Sequence, residues 1–316
     1  MTMVQLADLA AEVGAAYSGN ATISGATHDS RQVTPGDIYI AVPGFTRHGI
    51  EFADQAVAAG AVAIASDSAG IARLTADIPH LVLTDVRAQL GLVAAAVHGH
   101  PERHLRIVGV TGTNGKSTVT GMVRHILAVS GRHTAIMGTL GTWIGDEHIA
   151  GSRTTPEATD LYALLSRMVT RGVTDLVMEV SSHGLTLHRV AGLHFAAAGF
   201  TNLTQDHLDF HGTMQNYFDA KAQLFQRCDV AVINVDDEWG EKLRAQCVAA
   251  DVSTVALGAH GDVRMVGLTQ SLARGLHIEL DGAVSASLDV PVVGEFNAAN
   301  AAMAVLLAES VGVSAL

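Results

Sequence analysis

Apolar residues in this chain fall into two spacings that take turns. Short uninterrupted runs at 38–42, 61–65 and 81–84 each read as a buried strand. At 51–59 and 90–98 apolar positions recur every three or four residues, as on the inner stripe of a helix. Thr34-Pro-Gly-Asp37 supplies a turn ahead of the first strand, and Gly60 a helix stop. The alternation resumes after Gly99-His-Pro101. Strands are expected at 106–110, 133–137, 175–180, 195–201, 229–235 and 253–257, with helices at 117–130, 155–171 and 213–225. Short strands over 264–289 and an alanine-rich helix ending near 309 complete the pattern. The chain is therefore α/β in two parts. A small α/β domain with a parallel or mixed sheet covers 1–100, and a doubly wound, mostly parallel sheet covers 101–316.

The stretch 106–118, Arg-Ile-Val-Gly-Val-Thr-Gly-Thr-Asn-Gly-Lys-Ser-Thr, gives the second domain its chemistry. A strand, a glycine-bearing loop and a helix in this order cradle phosphate: loop amides and the helix N-terminus face the anion. Lys116 adds a positive charge and the Ser117 hydroxyl can hold Mg²⁺. The pattern G-x-x-x-x-G-K-[ST] asks for glycine where this chain has Val110, so the loop is a variant over 111–117. The second sheet is accordingly of P-loop ATPase type. Ligands of such sheets gather at the carboxyl ends of the strands, where 112–117, Glu179 and 202–209 fall.

Composition narrows the setting. The 316 residues are 48% hydrophobic and 16% charged, which suits globular domains with large cores. No apolar run reaches the ~18 residues a bilayer span needs, so membrane insertion is not expected. The first residues carry no basic run of the signal-peptide kind. Two cysteines, Cys228 and Cys247, give no disulfide framework and suit a reducing, cytoplasmic setting. A net charge of −12 argues against nucleic acid as a partner, and a polyphosphate would need local cations and metal.

Four further places could carry chemistry. Glu179 ends the strand in Leu176-Val-Met-Glu-Val-Ser-Ser182, where a carboxylate can hold Mg²⁺ or merely cap a turn. The segment 201–212 crowds Asp206, His207, Asp209 and His211, and the spacing of the two histidines raises zinc, though no glutamate follows the first. Lys221 shares a helix face with Phe218, Leu224 and Phe225, so it points inward as a reactive amine or snorkels. Thr154-Thr155-Pro156-Glu157 is a helix start that could also touch substrate, with Arg153 beside it. Arg189 is an isolated cation that reads, by default, as one half of a surface ion pair.

Taken in order, the glycine loop, Met178-Glu-Val-Ser-Ser-His-Gly184, Thr201-Asn-Leu-Thr-Gln-Asp-His-Leu-Asp209, Ala220-Lys221 and Gly294-Glu-Phe-Asn-Ala-Ala-Asn300 resemble the Mur ligases. These are ATP-dependent amide-bond ligases of peptidoglycan synthesis. Ser-Ser-His-Gly at 181–184, Thr154-Thr155-Pro156, His28-Asp-Ser-Arg31 and Pro35-Gly-Asp37 point to one branch. That branch adds a diamino acid, meso-diaminopimelate or L-lysine, to UDP-N-acetylmuramoyl-L-alanyl-D-glutamate. The resemblance implies that Gly112, Thr113, Asn114, Gly115, Lys116, Ser117 and Thr118 hold the ATP phosphates, with Asn297 and Asn300 near the adenine. It implies one Mg²⁺ on Ser117 and Glu179, and a second on His207 and a carbamylated Lys221. It implies UDP contacts from His28, Ser30, Phe45, Thr46 and Arg47. The muramoyl-dipeptide would be lined by Arg153, Thr154, Thr155, Ser181, Leu187 and Arg189, although some relatives have glutamine at the position of Leu187.

Such ligases carry a third domain that delivers the amine, and the resemblance places it beyond 316. The expectation is that these residues alone turn over poorly. Rival readings are a folylpolyglutamate-type or D-alanyl-D-alanine-adding ligase, a non-catalytic nucleotide- or UDP-sugar-binding module, and a zinc hydrolase.

Overall fold

The computed structural model describes residues 3–44 and 46–314. The chain folds as two compact units, each assembled from separate stretches of sequence. One comprises Met1–His104, Pro156–Thr170 and Thr186–Leu193, and the other Leu105–Thr155, Arg171–Leu185 and His194–Leu316.

The first unit has a five-stranded sheet in the order Ala16–Ser18, His80–Val82, Ala63–Ser66, Asp37–Ile40, Gly25–Thr27. The first pair is antiparallel and the others parallel, the mixed sheet that the alternating pattern allowed. Asp37–Ile40 and Ala63–Ser66 are buried along their whole length, which is why they read as unbroken apolar runs. The helix foreseen from 90 begins at Val86, because the Asp85 carboxylate accepts from the Ala88 amide at 3.0 Å and caps it. Helix Leu6–Val13 was not foreseen, since it buries only Leu6, Leu9 and Ala10 and is too short to show a period. Helix Ala158–Thr170 also belongs to this unit: Ala158 lies in one core with Leu90, Val93 and Val97.

The second unit is built on parallel strands in the order Thr134–Gly138, Asp175–Glu179, Arg106–Thr111, Phe195–Phe200, Cys228–Asn234, Ser253–Leu257. Further strands extend both edges, antiparallel throughout on the first side and, on the second, antiparallel only beyond Val263–Ser271, which joins its neighbour in parallel. The hairpin Gly141–Ile144 with Glu147–Ile149 joins Thr134–Gly138, while Val263–Ser271, Gly275–Gly282 and Ala286–Val290 continue from Ser253–Leu257. The first hairpin went unread because its strands are short and half polar. Helices Lys116–Val129 and Phe296–Ser310 share one core with Leu276, Ile278 and Leu280 of the second extension. Val110 is fully buried inside the central strand, and its carbonyl accepts from the Val180 amide at 2.8 Å. The loop begins after it, so the glycine of the usual pattern has no turn to make at that position.

At the far end of this sheet from the loop, Asp175 is buried and accepts from Arg132 at 2.9 Å and Arg106 at 3.3 Å. Both arginines also donate to the carbonyl of Val311, at 2.7 and 3.3 Å, and so tie the end of helix Phe296–Ser310 to the strands. Asp175→Ala would leave the two cations facing each other. Urea unfolding should show a loss of about 2–3 kcal/mol with an unchanged slope. A loss under about 0.5 kcal/mol, the range of an ordinary surface change, would refute the tie.

Candidate functional site

The glycine loop is held by the strand beside it. Gly112 (φ 146°) and Gly115 (φ 87°) lie in the left-handed region, and a side chain at either would run into Thr201 or Asn300 respectively. The Thr113 amide donates to Asn202 O at 2.9 Å and the Asn114 amide to Asn202 Oδ1 at 3.0 Å. Thr201 Oγ1 donates to Asn114 O at 2.6 Å. Lys116 folds back on its own loop, donating to Gly112 O at 3.0 Å and Thr113 O at 2.8 Å.

Lys221 arrives at the same place from helix Met214–Ala222. Its Nζ donates to Gly112 O at 2.8 Å and lies 4.4 Å above the Tyr217 ring, with the whole residue 2% exposed. Two lysine amines thus share one peptide carbonyl. Burial, and next the charge of Lys116, push the Lys221 ammonium well below the usual lysine range, against the opposing pull of Asp206. Burial lowers Lys116 too, with Glu179 and Asp206 opposing. Lys221 is therefore the inward amine of the sequence reading, not a snorkelling one. Tyr217, which sequence reasoning passed over, also meets Thr113 through its hydroxyl at 3.3 Å. Its signal was the spacing of four residues from Lys221 on one helix face.

On the other side of the loop strand, Glu179 is 3% exposed and fully engaged. Ser117 Oγ donates to Oε1 at 2.9 Å, the Thr139 amide donates to Oε1 at 2.9 Å, and Thr139 Oγ1 donates to Oε2 at 3.2 Å. Thr139 is a second residue the sequence did not single out. The adjacent hydroxyl and carboxylate are hard oxygen donors of the kind Mg²⁺ takes. Thr154 Oγ1 lies 3.0 Å from Thr139 Oγ1. Thr155 Oγ1 donates to Glu179 O at 3.1 Å and accepts from the Ser181 amide at 3.0 Å, which draws the Thr-Thr element and Ser181 to this strand end. Arg153 is exposed.

His207 has a left-handed backbone (φ 52°) and precedes the short helix Leu208–His211. Its ring is half exposed, edge-on to His183 at 4.9 Å, with Nε2 3.4 Å from Asp206. His211 turns inward instead, and its Nε2 lies 2.9 Å from Ser182 Oγ. Among the described residues no group of three or more His, Cys, Asp or Glu is placed to hold a metal ion. Asn300 closes the loop at Gly115 and donates to Asn297 Oδ1 at 3.2 Å. Thr118 lies in the first turn of helix Lys116–Val129.

The remaining candidates are in the first unit, apart from Phe45, which lies outside the described residues. His28 Nδ1 is 2.7 Å from Thr159 Oγ1, and Ser30 Oγ donates to Gln55 Oε1 at 3.1 Å. Thr46 and Arg47 are exposed, and Arg47 pairs with Glu51 at 2.9 Å. Leu187 is half-buried. Arg189 is not the surface cation its isolation suggested: it is buried and pairs with Glu157 at 2.9 Å. A partner 32 positions away in the chain has no local signature.

The geometry is that of a phosphate-loop protein with an acid and a second lysine converging on the loop. A family model described as the Mur ligase middle domain matches residues 110–308, and one described as the Mur ligase family, catalytic domain, matches 22–113. The chain belongs to the Mur ligase family. It is 43% identical over 319 residues to a UDP-N-acetylmuramoyl-L-alanyl-D-glutamate–2,6-diaminopimelate ligase of Streptomyces coelicolor, covering 97% of this chain and 62% of that protein. It is 38% identical to a UDP-N-acetylmuramyl-tripeptide synthetase of Deinococcus radiodurans, covering 93% of this chain and 60% of that one. A solved structure of a 2,6-diaminopimelate ligase superposes with a TM-score of 0.80 at 31% identity, covering 92% of this chain and 60% of that one. MurF from Acinetobacter baumannii, at 22% identity and a TM-score of 0.72, shares the fold. The chain thus spans about three-fifths of the length of these relatives. No helix among the described residues is long and apolar enough to cross a membrane.

Burial, then the neighbouring His183, holds the His211 imidazolium down to about 4, against an ordinary 6.5. Above 6.5 the ring is neutral whether the chain is folded or not. Between 6.5 and 4 the unfolded chain takes a proton that the folded one refuses, so stability falls as the pH falls. Ring resonances of His211 should stay at their neutral position from pH 8 to about 5. The acid loss of stability should shrink in His211→Gln. A midpoint near 6.5 would contradict the burial argument.

Proposed function

We propose that this chain carries the ATP-binding and UDP-substrate-binding parts of an ATP-dependent, ADP-forming amide ligase of peptidoglycan precursor synthesis. The observation behind this is the pair of lysine amines on the Gly112 carbonyl, Lys221 buried and Lys116 half-buried, beside the Ser117–Glu179 pair. An ordinary strand-to-helix turn has no use for two cations there, whereas a triphosphate does. The names of the relatives at 38–43% identity supply the substrate: UDP-N-acetylmuramoyl-L-alanyl-D-glutamate, with 2,6-diaminopimelate favoured over L-lysine as the amine. UDP-linked and ATP substrates suit a cytoplasmic enzyme.

In this reading Gly112 to Thr118 hold the phosphates, and Lys116 exchanges its loop carbonyls for phosphate oxygens. Asn297 and Asn300 lie toward the adenine. The γ-carboxylate of the D-glutamyl residue attacks the terminal phosphorus, releasing ADP and leaving an acyl phosphate. The amine then attacks the acyl carbon and phosphate departs. The protein aligns the reactants and screens charge. Mg²⁺, when bound, would neutralise the crowded phosphate oxygens. Ser117 and Glu179 suit one ion as they stand. His207 and Lys221 suit a second only if the Lys221 amine adds CO₂, losing a proton and becoming an anionic oxygen donor. Its lowered proton affinity favours the neutral amine that such an addition needs. The first unit would take the UDP end through His28, Ser30, Phe45, Thr46 and Arg47. Arg153, Thr154, Thr155, Ser181, Leu187 and Arg189 would line the dipeptide.

Two measurements test this reading. Lys116→Ala should weaken Mg·ATP binding by roughly 10- to 100-fold in calorimetry, the worth of one charge-assisted contact. In concentrated bicarbonate the intact chain should gain about 44 Da, and Lys221→Arg should not. Undiminished nucleotide binding by the first variant, or an unchanged mass for the parent chain, would count against the respective assignment.

A further inference from the structure

Glu157 immediately precedes helix Ala158–Thr170, and its carbonyl accepts from the Leu161 amide at 2.8 Å. Its carboxylate is buried and divided between two arginines of the same unit. Oε1 meets Arg189 Nη2 at 2.9 Å and Oε2 meets Arg87 Nη1 at 3.0 Å. The side chains of Glu157 and Arg189 are 5% and 10% exposed. The helix that follows Glu157 also holds the backbone of the turn two residues after Arg189, because Tyr162 Oη donates to Ala191 O at 3.0 Å. That turn is not relaxed: His188, directly before Arg189, has φ 55°. The segment 157–162 thus holds both the Arg189 guanidinium, through Glu157, and the turn that carries it, through Ala191.

A buried ion pair of this kind contributes little net stability, since desolvation of both charges offsets their attraction. What it does supply is orientation. A guanidinium is a rigid fork, and fixing one nitrogen fixes the direction of the others. Arg87, on the other carboxylate oxygen, keeps the carboxylate from swinging away. The helix N-terminus favours the negative charge where it stands.

We propose that Glu157 is a positioning residue: it sets the Arg189 guanidinium to receive an anionic group of the muramoyl-dipeptide, and so supports the preference for a substrate carrying that group. This rests on the reading of Arg189 as a substrate contact.

Calorimetry on the 316-residue chain with two probes tests it. UDP-N-acetylmuramoyl-L-alanyl-D-glutamate presents carboxylates, and UDP-N-acetylglucosamine presents none. Arg189→Ala and Glu157→Gln should each weaken the dipeptide probe by about tenfold or more and leave the second probe within about twofold. In the double variant Glu157→Gln should add less than about twofold, because its effect passes through Arg189. Glu157→Asp should recover part of the loss, and it replaces the Gln variant if that one does not fold. Equal weakening of both probes by Glu157→Gln, or a full extra loss in the double variant, would overturn the positioning role. If Arg189→Ala leaves dipeptide affinity intact, the assignment of Arg189 itself falls and the proposal with it. A loss in Arg189→Ala with none in Glu157→Gln overturns the proposal alone.

Discussion

Two lysine side chains end on one peptide carbonyl inside a chain whose net charge is −12. Burying one amine is costly, and setting a second, half-buried one beside it adds their repulsion. Much of the second unit can be understood as what makes that arrangement tolerable. The Gly112 carbonyl is free to accept both because Gly112 adopts a conformation open to glycine and because Thr201 and Asn202 brace the loop from the next strand. The Tyr217 face offers Lys221 an electron-rich surface. Glu179, across the loop strand, supplies the nearby negative charge without reaching either amine, since Ser117 and Thr139 occupy its oxygens. The result is a site with positive charge stored on one side and oxygen donors on the other.

What the chain discloses without its structure follows from how far each interaction reaches. Strands buried on both faces announce themselves as apolar runs, as at Asp37–Ile40 and Asp175–Glu179. Helix Ala158–Thr170 is announced by Pro156 and its stripe, and the inward course of Lys221 by the company it keeps at helical spacing. The hairpin Gly141–Ile144 with Glu147–Ile149 and helix Leu6–Val13 stayed hidden, being too short to carry a period. Thr139 looks like any strand-end threonine until the parallel pairing brings it to Glu179.

Arg189 is the plainest case of the limit. Nothing near it in sequence balances its charge, so a surface position was the natural expectation. Its counterion, Glu157, lies 32 residues earlier, immediately before helix Ala158–Thr170. Val110 is the opposite case: an apparent departure from a motif that is no departure once the strand is seen to run through it. A pattern written in residues is a shorthand for a backbone path, and this path enters its turn at Gly112.

The first unit is assembled from three stretches of sequence, and this bears on how the chain comes off the ribosome. Ala158 packs in the same core as Leu6, Ile38 and Leu90, so the residues up to His104 emerge with one side of that core uncovered. They must wait for Pro156–Thr170 and Thr186–Leu193 to be translated. By then the loop strand Arg106–Thr111 and its neighbour Asp175–Glu179 have been made, but the loop's partners Thr201, Asn202, Lys221 and Asn300 have not. The first unit is therefore complete once Leu193 is made, while the second still awaits His194–Leu316, and a cut after His104 would release an N-terminal piece with its own apolar face exposed to aggregation.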